Sequence, residues 1–246
     1  MLRSIWNSTS GLYSNQTRID AISNNIANIN TNGYKRVDVN FSDILVENVN
    51  RLGVPVTENE KEKFVGSGSR ISGFIRDDSQ GIIEKSDRNL DFAIEGRGYF
   101  RLIDSKGNEL YTRKGNFYID ANNNLVDSNG NKLDISLNTK DNIDYDKISV
   151  KENGEILYNE NIIGKIDIYD FDSEDNLYPI GNSLFKGINP KSTNSSIKQG
   201  YVEKSNVDIS KELTDLLVTQ RAFELNSRAL KTSEEMWQMT NNLRSK

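Results

Sequence analysis

The sequence predicts an α+β protein in which long N- and C-terminal helices pair as an antiparallel coiled-coil hairpin around a central antiparallel β-rich domain. Apolar residues recur every seven positions near both chain ends, as is typical of helices that pack on other helices. Between the ends, turn sequences recur at intervals of about 8 to 12 residues. The chain has 246 residues, 35% hydrophobic and 27% charged, so it can bury a core of ordinary globular size.

Residues 2–30 have the period of an amphipathic helix. Ile5, Leu12, Ile19 and Ile26 stand seven apart, and polar residues occupy the alternate positions of the same seam. Such polar positions weaken a two-stranded coil but restrict its register and its partners. Two ordinary surface helices on a globular core are the alternative, but so thin an apolar stripe favours a helix that needs neighbours.

The middle of the chain has no helical period. Residues 37–79 are predicted to be an extended linker with a polar loop at 57–73, because their apolar residues keep no single spacing. Residues 80–200 are predicted to form the β-rich domain, as an antiparallel meander or small barrel. Strands are predicted at 99–103, 109–112, 117–119, 147–151, 155–158 and 162–171.

Residues 207–243 show a second helical period. Leu216, Phe223, Leu230 and Trp237 stand seven apart, and Leu213 and Gln220 lie at interleaved positions. Because both chain ends are helical, the simplest arrangement joins residues 1–36 and 201–246 as one helical domain. At about 1.5 Å per residue, the two helices would be roughly 45 and 55 Å long.

The composition excludes most catalytic machinery. There is no cysteine and no histidine, which removes disulfides, Cys/His zinc sites, thiol nucleophiles and Ser-His-Asp triads. We therefore predict no catalytic residue, no metal site and no cofactor. Two alternatives to a structural protein stay open: a cell-wall-remodelling enzyme that uses a carboxylate pair, and a stand-alone coiled-coil adhesin.

Charge and hydropathy also restrict the partners. Residues 37–200 carry 20 basic and 28 acidic side chains, so a polyanion such as nucleic acid is not an expected partner. No window approaches the roughly 18 apolar residues of a membrane span, so direct membrane insertion is not expected. The first residues lack the apolar run and cleavage site of a secretory signal, so we expect no export by the general secretory route.

Three blocks of sequence resemble the signatures of the bacterial flagellar rod and hook family. The first is ISNNIANINTNGYK at 22–35, the second joins DFAIEGRGYF at 91–100 to YTRKGNF at 111–117, and the third joins GYVEKSNV at 200–207 to TQRAFELNS at 219–227. The resemblance covers essentially the whole chain. It implies a structural subunit of the basal-body rod, most similar to distal-rod members, with a proximal-rod or hook-type relative as the alternative.

The resemblance also implies an assembly and a set of partners. Subunits are expected to polymerise through their terminal helices into a hollow helical tube that transmits torque from motor to hook. The expected partners are copies of the chain, other axial proteins (proximal rod proteins and the hook protein), the surrounding envelope ring proteins and the flagellar type III export apparatus. The expected location is the flagellar basal body, in the cell envelope outside the cytoplasmic membrane, reached without a cleavable signal peptide.

Asparagines crowd the first block although asparagine is a poor helix former. Because an amide both donates and accepts hydrogen bonds, we expect these side chains to link neighbouring copies rather than only to face solvent or a channel. Gly33 is expected to adopt the left-handed conformation and to end the helix. The expected assembly interface comprises Ile5, Leu12, Ile19, Ile26, Asn24, Asn25, Asn28, Asn30, Gly33, Leu213, Leu216, Gln220, Phe223, Leu230 and Trp237.

Overall fold

The chain divides into two compact units, each of which is described by itself. The computed structural model describes residues 2–43, 46–48, 64–66, 68–122, 124–137, 148–158, 161–171 and 176–244. Unit 1 comprises Met1–Ala27, Val37–Asp77 and Asp208–Lys246, and unit 2 comprises Asn28–Arg36 and Asp78–Val207. Most of the segment predicted as a linker, 37–79, therefore belongs to the helical unit.

Unit 1 contains both terminal helices. Helix α1 spans Leu2–Ala27 and helix α2 spans Ile209–Arg244, which confirms the two predicted helices to within three residues at each end. Asp208 caps α2, because its Oδ1 accepts hydrogen bonds from the backbone N–H groups of Ser210 at 2.8 Å and Lys211 at 3.3 Å. An aspartate in this position satisfies amide donors that have no partner within the helix.

The described part of unit 1 also contains two antiparallel strand pairs. Strand β1 (Val37–Asp43) pairs with β4 (Ser69–Arg76), and β2 (Val46–Asn48) pairs with β3 (Phe64–Gly66). Ser69 is tied to α1, since its N–H lies 3.3 Å from Ser10 Oγ and its carbonyl accepts from Ser14 at 3.4 Å. Of the polar loop predicted at 57–73, residues 57–63 and 67 lie outside the described residues, and the rest is mostly strand.

The two helices contact each other in antiparallel order. Near the start of α1, Ser233 donates a hydrogen bond to Ser4, with 3.4 Å between the two hydroxyl oxygens. Near the end of α1, Asn25 Nδ2 lies 3.2 Å from Glu212 Oε2. The contact residues on α2 thus run backwards as those on α1 run forwards, and all four are polar.

Unit 2 is built from short antiparallel strands, as the sequence predicts. Its first strands are β5 (Ile83–Lys85), β6 (Phe92–Glu95), β7 (Tyr99–Ile103), β8 (Glu109–Thr112), β9 (Tyr118–Ile119), β10 (Leu125–Val126), β11 (Lys132–Leu133) and β12 (Ile135–Leu137). The later strands are β13 (Ile148–Val150), β14 (Glu155–Tyr158), β15 (Asn161–Ile166), β16 (Ile168–Asp170), β17 (Leu177–Gly181), β18 (Leu184–Gly187), β19 (Lys191–Thr193), β20 (Ser196–Gln199) and β21 (Tyr201–Glu203). These bounds agree with the predicted strands except at 162–171, which is divided into β15 and β16; residue 147 of the strand predicted at 147–151 lies outside the described residues.

Among the described residues of unit 2, the strands form one large sheet and three smaller ones. The large sheet has the order β17-β18-β8-β7-β11-β10-β9, with β16 joined to β7 and β19 joined to β16. A four-stranded sheet has the order β12-β15-β14-β13, and two further pairs are β20 with β6 and β21 with β5. Strand β20 pairs with β6 and β21 pairs with β5, so the sheets of unit 2 are complete only when its C-terminal segment has folded.

The core of unit 2 has a main cluster and a smaller aromatic cluster. The main cluster consists of Phe92, Ile94, Phe100, Leu102, Phe117, Leu125, Leu133, Ile148, Val150, Ile156, Ile163, Ile166, Ile168, Leu184 and Ile197. In the aromatic cluster, the fully buried Tyr111 ring packs edge-on against Phe171 with 5.0 Å between ring centroids. The Tyr111 hydroxyl donates a hydrogen bond to the Glu109 carboxylate at 3.1 Å.

No helix among the described residues is both long enough and apolar enough to span a membrane.

Removing the Tyr111 hydroxyl should make the free energy of unfolding depend less steeply on pH in the alkaline range. Burial, assisted by the hydrogen bond to Glu109, raises the pKa of Tyr111 from 10.0 to about 12. The folded chain therefore keeps this proton where the unfolded chain loses it, so the stabilisation is full below pH 10 and declines as the pH rises toward about 12. Between about pH 9 and about pH 11, we expect the urea-derived free energy of unfolding of Tyr111→Phe to fall less steeply than that of wild type.

The matched control is Tyr118→Phe, because the Tyr118 side chain is 45% exposed. Its unfolding free energy should follow the wild-type slope. Identical slopes for all three proteins would contradict the assignment of this proton to Tyr111.

Candidate functional site

A buried ion triad lies in unit 2 and consists of Lys35, Arg113 and Glu203. Lys35 Nζ lies 2.7 Å from Glu203 Oε1, and Arg113 Nε lies 2.5 Å from Glu203 Oε2. None of the three residues is more than 4% exposed. Each oxygen of the one carboxylate therefore serves a different cation, and the group carries one excess positive charge.

Peptide carbonyls accept four further hydrogen bonds from the two cations of the triad. Lys35 Nζ donates to the carbonyl of Ser79 at 2.8 Å. Arg113 donates to three more carbonyls, those of Ile94, Gly96 and Gly98. Burial lowers the pKa of the Lys35 ammonium below 10.5, although the neighbouring Glu203 carboxylate opposes this shift. A buried charge is tolerated only with such partners, so the triad requires all of these segments together.

The segment Asn28–Arg36 is fastened to the C-terminal end of unit 2 around this triad. Gly33 N–H donates to the backbone carbonyl of Glu203 at 2.8 Å. Arg36 N–H donates to Asn206 Oδ1 at 2.7 Å, and Asn206 Nδ2 donates to the Ser79 carbonyl at 3.1 Å. The first and third sequence blocks that resemble the family signature are thus in direct contact.

Gly33 has the left-handed conformation that the sequence predicts, with φ of 68°. A Cβ built at this position would lie 2.7 Å from the backbone carbon of Arg113. Helix α1 already ends at Ala27, so Gly33 shapes the loop after the helix rather than its last turn. Glycine is needed here both for the backbone angle and for the close approach of the Arg113 backbone.

A second polar chain in unit 2 links the first block to the second. Asn32 Nδ2 donates to Asn116 Oδ1 at 2.7 Å, and Asn116 Nδ2 donates to Asp91 Oδ1 at 3.0 Å. The Ser86 hydroxyl donates to the other Asp91 oxygen at 2.5 Å. Asn32 therefore has an intramolecular role in joining the loop after α1 to the β-rich unit.

In unit 1, Asn25 joins α1, α2 and β1. Its Nδ2 donates to the Val37 carbonyl at 2.9 Å and to Glu212 Oε2 at 3.2 Å, and its Oδ1 accepts from Val37 N–H at 3.0 Å. Asn25 and Glu212 are both 0% exposed. The amide forms hydrogen bonds with both the N–H and the C=O of Val37, as the backbone of a neighbouring strand would. It also binds Glu212 in the first turn of α2.

The other asparagines of the predicted interface lie closer to the surface. Asn24 is exposed, and its Nδ2 donates to the Asp20 carbonyl at 3.0 Å within α1. Asn28 is partly buried and accepts a hydrogen bond from Thr31 at 3.1 Å, while Asn30 is exposed. Contacts of these amides with neighbouring copies stay a prediction.

The apolar residues of the predicted interface keep part of their surface in the single chain. Leu213 is 46% and Trp237 41% exposed, and Gln220 is exposed as well. The other members are partly buried: Ile5, Leu12, Ile19, Ile26, Leu216, Phe223 and Leu230. Their assignment to an interface between copies also stays a prediction.

Sequence reasoning did not assign a role to the ion triad or to Glu212. The available signal was that Lys35, Arg113 and Glu203 each stand in a different one of the three resembling blocks. Charged residues are read by default as surface residues, so their burial was not predicted. Glu212 stands outside the three blocks and carries no comparable signal.

Parts of the chain match three described protein families. Residues 5–35 match "Flagella basal body rod protein", residues 93–158 match "Flagellar hook protein FlgE/F/G D1 domain", and residues 198–243 match "Flagellar basal body rod FlgEFG protein C-terminal". Together these matches contain Asn25, Gly33, Glu203 and Glu212, as well as Arg113.

Similar proteins match over nearly the full length. A Borreliella burgdorferi protein named "Flagellar basal-body rod protein FlgG" is 35% identical, and the alignment covers 99% of each chain. A protein of the same name from Bacillus subtilis is 34% identical over 99% of this chain and 100% of its own. Another, from Agrobacterium fabrum, is 32% identical over 96% of this chain and 97% of its own.

Loss of the shared carboxylate should strongly destabilise unit 2. Glu203→Ala leaves the buried Lys35 and Arg113 cations without their common acceptor, so we expect the free energy of unfolding to fall by about 3–5 kcal/mol. In the control, Glu84→Ala, the lost partner is Lys204, 3.7 Å from a carboxylate that is 56% exposed. The control should lose at most about 1 kcal/mol in the same urea titration. Equal losses of unfolding free energy in the two variants would contradict the conclusion that burial makes the Glu203 carboxylate important.

A methyl group at Gly33 should cost more than one at another left-handed glycine. Gly107 has φ of 81° and open space where a Cβ would be, whereas a Cβ on Gly33 meets the Arg113 backbone. Both alanine variants bear the strain of the left-handed conformation. Chemical denaturation should show Gly33→Ala to be less stable than Gly107→Ala by at least about 1 kcal/mol. Equal stabilities of the two variants would mean that the loop around Gly33 shifts to accommodate the methyl group without a loss of free energy.

Proposed function

Because the chain belongs to the flagellar basal-body rod FlgEFG family, as a member of the FlgG type, we propose that it is a structural subunit of the distal rod of the bacterial flagellum. Its copies polymerise through the terminal helices into a hollow helical tube that transmits torque from motor to hook. In this proposal the chain has no enzymatic role. Each subunit contributes its paired helices as an antiparallel coiled-coil hairpin.

The observation that carries this proposal is the apolar surface of α2. Val218 is 60%, Leu225 64% and Met239 65% exposed, and these positions are multiples of seven apart. With 3.6 residues per turn, the half of α2 that faces away from its contacts with α1 carries five exposed apolar side chains: Leu213, Leu217, Val218, Leu225 and Met239. A helix that is apolar on both sides is typical of one that is enclosed by neighbours.

We name this surface the outer stripe of α2, and it comprises Leu213, Leu217, Val218, Leu225 and Met239. Helix α1 also presents large exposed side chains, Trp6 at 69% and Tyr13 at 72%, seven positions apart. An α1 surface of one copy can therefore cover the outer stripe of the next. Such a contact between two different surfaces does not close on itself, so repetition produces a filament.

The same proposal assigns partners and a location. Besides its own copies, the subunit contacts other axial proteins, namely proximal rod proteins and the hook protein, and lies within the envelope ring proteins. It reaches the basal body through the flagellar type III export apparatus. Helices with thin apolar contacts within the chain suit this route, because they gain most of their stabilisation after they meet neighbours.

A charge on the outer stripe should block assembly without unfolding the subunit. Leu225→Asp places a carboxylate on a side chain that is 64% exposed in the single chain, so circular dichroism should match wild type. In the tube the same carboxylate would be buried without a partner, at a cost of several kcal/mol per contact. We expect a strain that relies on this variant to form no complete rod and no swimming ring in soft agar.

The control is Leu225→Met, which keeps the stripe apolar and should swim like wild type. Isolated basal bodies examined by electron microscopy provide the second measurement. Normal rods and swimming with Leu225→Asp would contradict the proposal that this stripe lies between copies.

A further inference from the structure

We propose that the pair Asn129–Gly130 in unit 2 is a site of spontaneous deamidation, at which Asn129 loses ammonia and becomes aspartate or isoaspartate. The only other reactant is water, so the reaction needs neither an enzyme nor a cofactor. This inference goes beyond the proposed function, because it concerns the covalent chemistry of one turn, whether or not copies assemble.

An asparagine that is followed by glycine is especially prone to this reaction. The backbone nitrogen of the glycine gives its proton to water and attacks the side-chain carbon Cγ of the asparagine. The new N–Cγ bond closes a succinimide ring, and the Cγ–Nδ2 bond breaks with release of ammonia. Water then opens the ring at Cγ to give aspartate, or at the backbone carbonyl carbon to give isoaspartate. Glycine favours the attack because it has no Cβ and changes its backbone angles at little cost.

The sequence contains three such pairs: Asn32–Gly33, Asn129–Gly130 and Asn153–Gly154. Since the three pairs share the same chemistry, the folded structure determines which of them reacts. The glycine N–H must leave its hydrogen bond and both residues must rotate, so the rate depends on the free energy of local opening. This free energy is small in exposed turns and reaches the full stability of the fold in its core.

The pair at 32–33 is held by distant parts of the chain. Gly33 is buried and donates to the backbone carbonyl of Glu203 at 2.8 Å. Asn32 Nδ2 donates to Asn116 Oδ1 at 2.7 Å. The attack of Gly33 on Asn32 therefore requires these contacts between remote segments to break first.

The pair at 153–154 is held by a neighbouring strand. Gly154 is buried, its N–H donates to the Lys151 carbonyl at 2.9 Å, and its own carbonyl accepts from Ile166 N–H at 2.9 Å. A Cβ on Gly154 would collide with the Ile166 carbonyl oxygen. Rotation of this glycine therefore requires β15 to move away.

The pair at 129–130 is held only locally. Among the described residues, all of its hydrogen bonds are to Asp127: Gly130 N–H donates to the carbonyl at 3.1 Å, Asn129 N–H to Oδ1 at 2.7 Å and Asn129 Nδ2 to Oδ2 at 3.3 Å. Both residues of the pair are exposed, and Gly130 has open space where a Cβ would be. The attack therefore requires only the turn between β10 and β11 to open.

The product should loosen this turn. Asp127 is 7% exposed, and its carboxylate also accepts from the backbone and the side chain of Asn131 at 2.9 and 3.0 Å. A second carboxylate at position 129 cannot donate to Asp127 and repels it. Isoaspartate in addition lengthens the backbone of the turn. Strands β10 and β11 carry Leu125 and Leu133 of the main core cluster, so the edge of that core loosens with the turn.

The purified full-length chain can be aged in water labelled with heavy oxygen at mildly alkaline pH. Opening of the ring incorporates one labelled oxygen, whereas deamidation during later digestion in ordinary water adds none. Peptide mass spectrometry then gives the rate at each site. In the folded chain we expect Asn129 to react at least about tenfold faster than Asn32 or Asn153, because its opening is the least costly. In guanidinium chloride the three sites should react at similar rates.

Two glycine variants test the attacking nitrogen. Gly130→Ala keeps Asn129 but places a methyl group beside the attacking atom, so labelling at Asn129 should become several-fold slower. Gly107→Ala is the matched control, because Gly107 has φ of 81°, close to the 84° of Gly130, and also has open space for a Cβ. It should leave the rate at Asn129 unchanged.

Hydrogen exchange of the full-length chain tests the consequence for the turn. In Asn129→Asp, which carries the aspartate product, the peptides that contain β10 and β11 should exchange faster than in wild type. In the control, Asn129→Gln, the side chain keeps an uncharged amide, and exchange should stay closer to wild type.

Equal rates at the three sites of the folded chain, or a lower rate at Asn129 than at Asn32 or Asn153, would overturn the assignment of the site. Labelling of Asn129 in Gly130→Ala at the wild-type rate would exclude attack by the Gly130 nitrogen. Unchanged exchange in Asn129→Asp would overturn the proposed loosening. Rod assembly enters none of these measurements, so the outcome is independent of the proposed function.

Discussion

The fold of unit 2 depends on one carboxylate held between two buried cations. Glu203 receives Lys35 on one oxygen and Arg113 on the other, at positions 168 and 90 residues away in sequence. Any one of these charges buried alone would cost several kcal/mol, so partial association of the three segments is unfavourable. The loop after α1, the β-rich core and the segment that leads to α2 therefore become ordered together or not at all.

The asparagines of the first block use the ability of the side-chain amide both to donate and to accept hydrogen bonds. Asn25 accepts from and donates to the same peptide pair at Val37, and Asn32 passes a hydrogen bond to Asn116. Asn206, from the far end of the chain, does the same between Arg36 and Ser79. A carboxylate in place of Asn25 or Asn206 could not donate, so the hydrogen bond to the carbonyl of Val37 or Ser79 would be lost. Asn24 and Asn30 are exposed in the single chain, so their contacts with other molecules stay a prediction.

The sequence was sufficient for the elements but not for the faces of the helices. The helices and strands were predictable because period and turn residues are local properties. The positive φ of Gly33 was also correct, although α1 ends at Ala27 and not at Gly33. The phase of the helix contact was not predictable. Apolar residues occur on several sides of α2, so the spacing of Leu216 and Phe223 was correct evidence for a helix but did not identify the side that meets α1. The ion triad was missed because its three members are distant in sequence and each looks like a surface charge.

The distribution of apolar surface in unit 1 explains why a subunit of this kind would need its neighbours. Within the chain, the helices meet through polar pairs such as Ser4 with Ser233, which bury little apolar area. The large apolar side chains Leu225 and Met239 are instead left in water, where each gains up to about 1.5–3 kcal/mol when it is covered. The polar contacts between α1 and α2 are therefore weak, and the stronger apolar contacts form only with other copies. In the proposed rod, therefore, most of the free energy that holds the tube together comes from apolar contacts between subunits rather than from the polar contacts within each one.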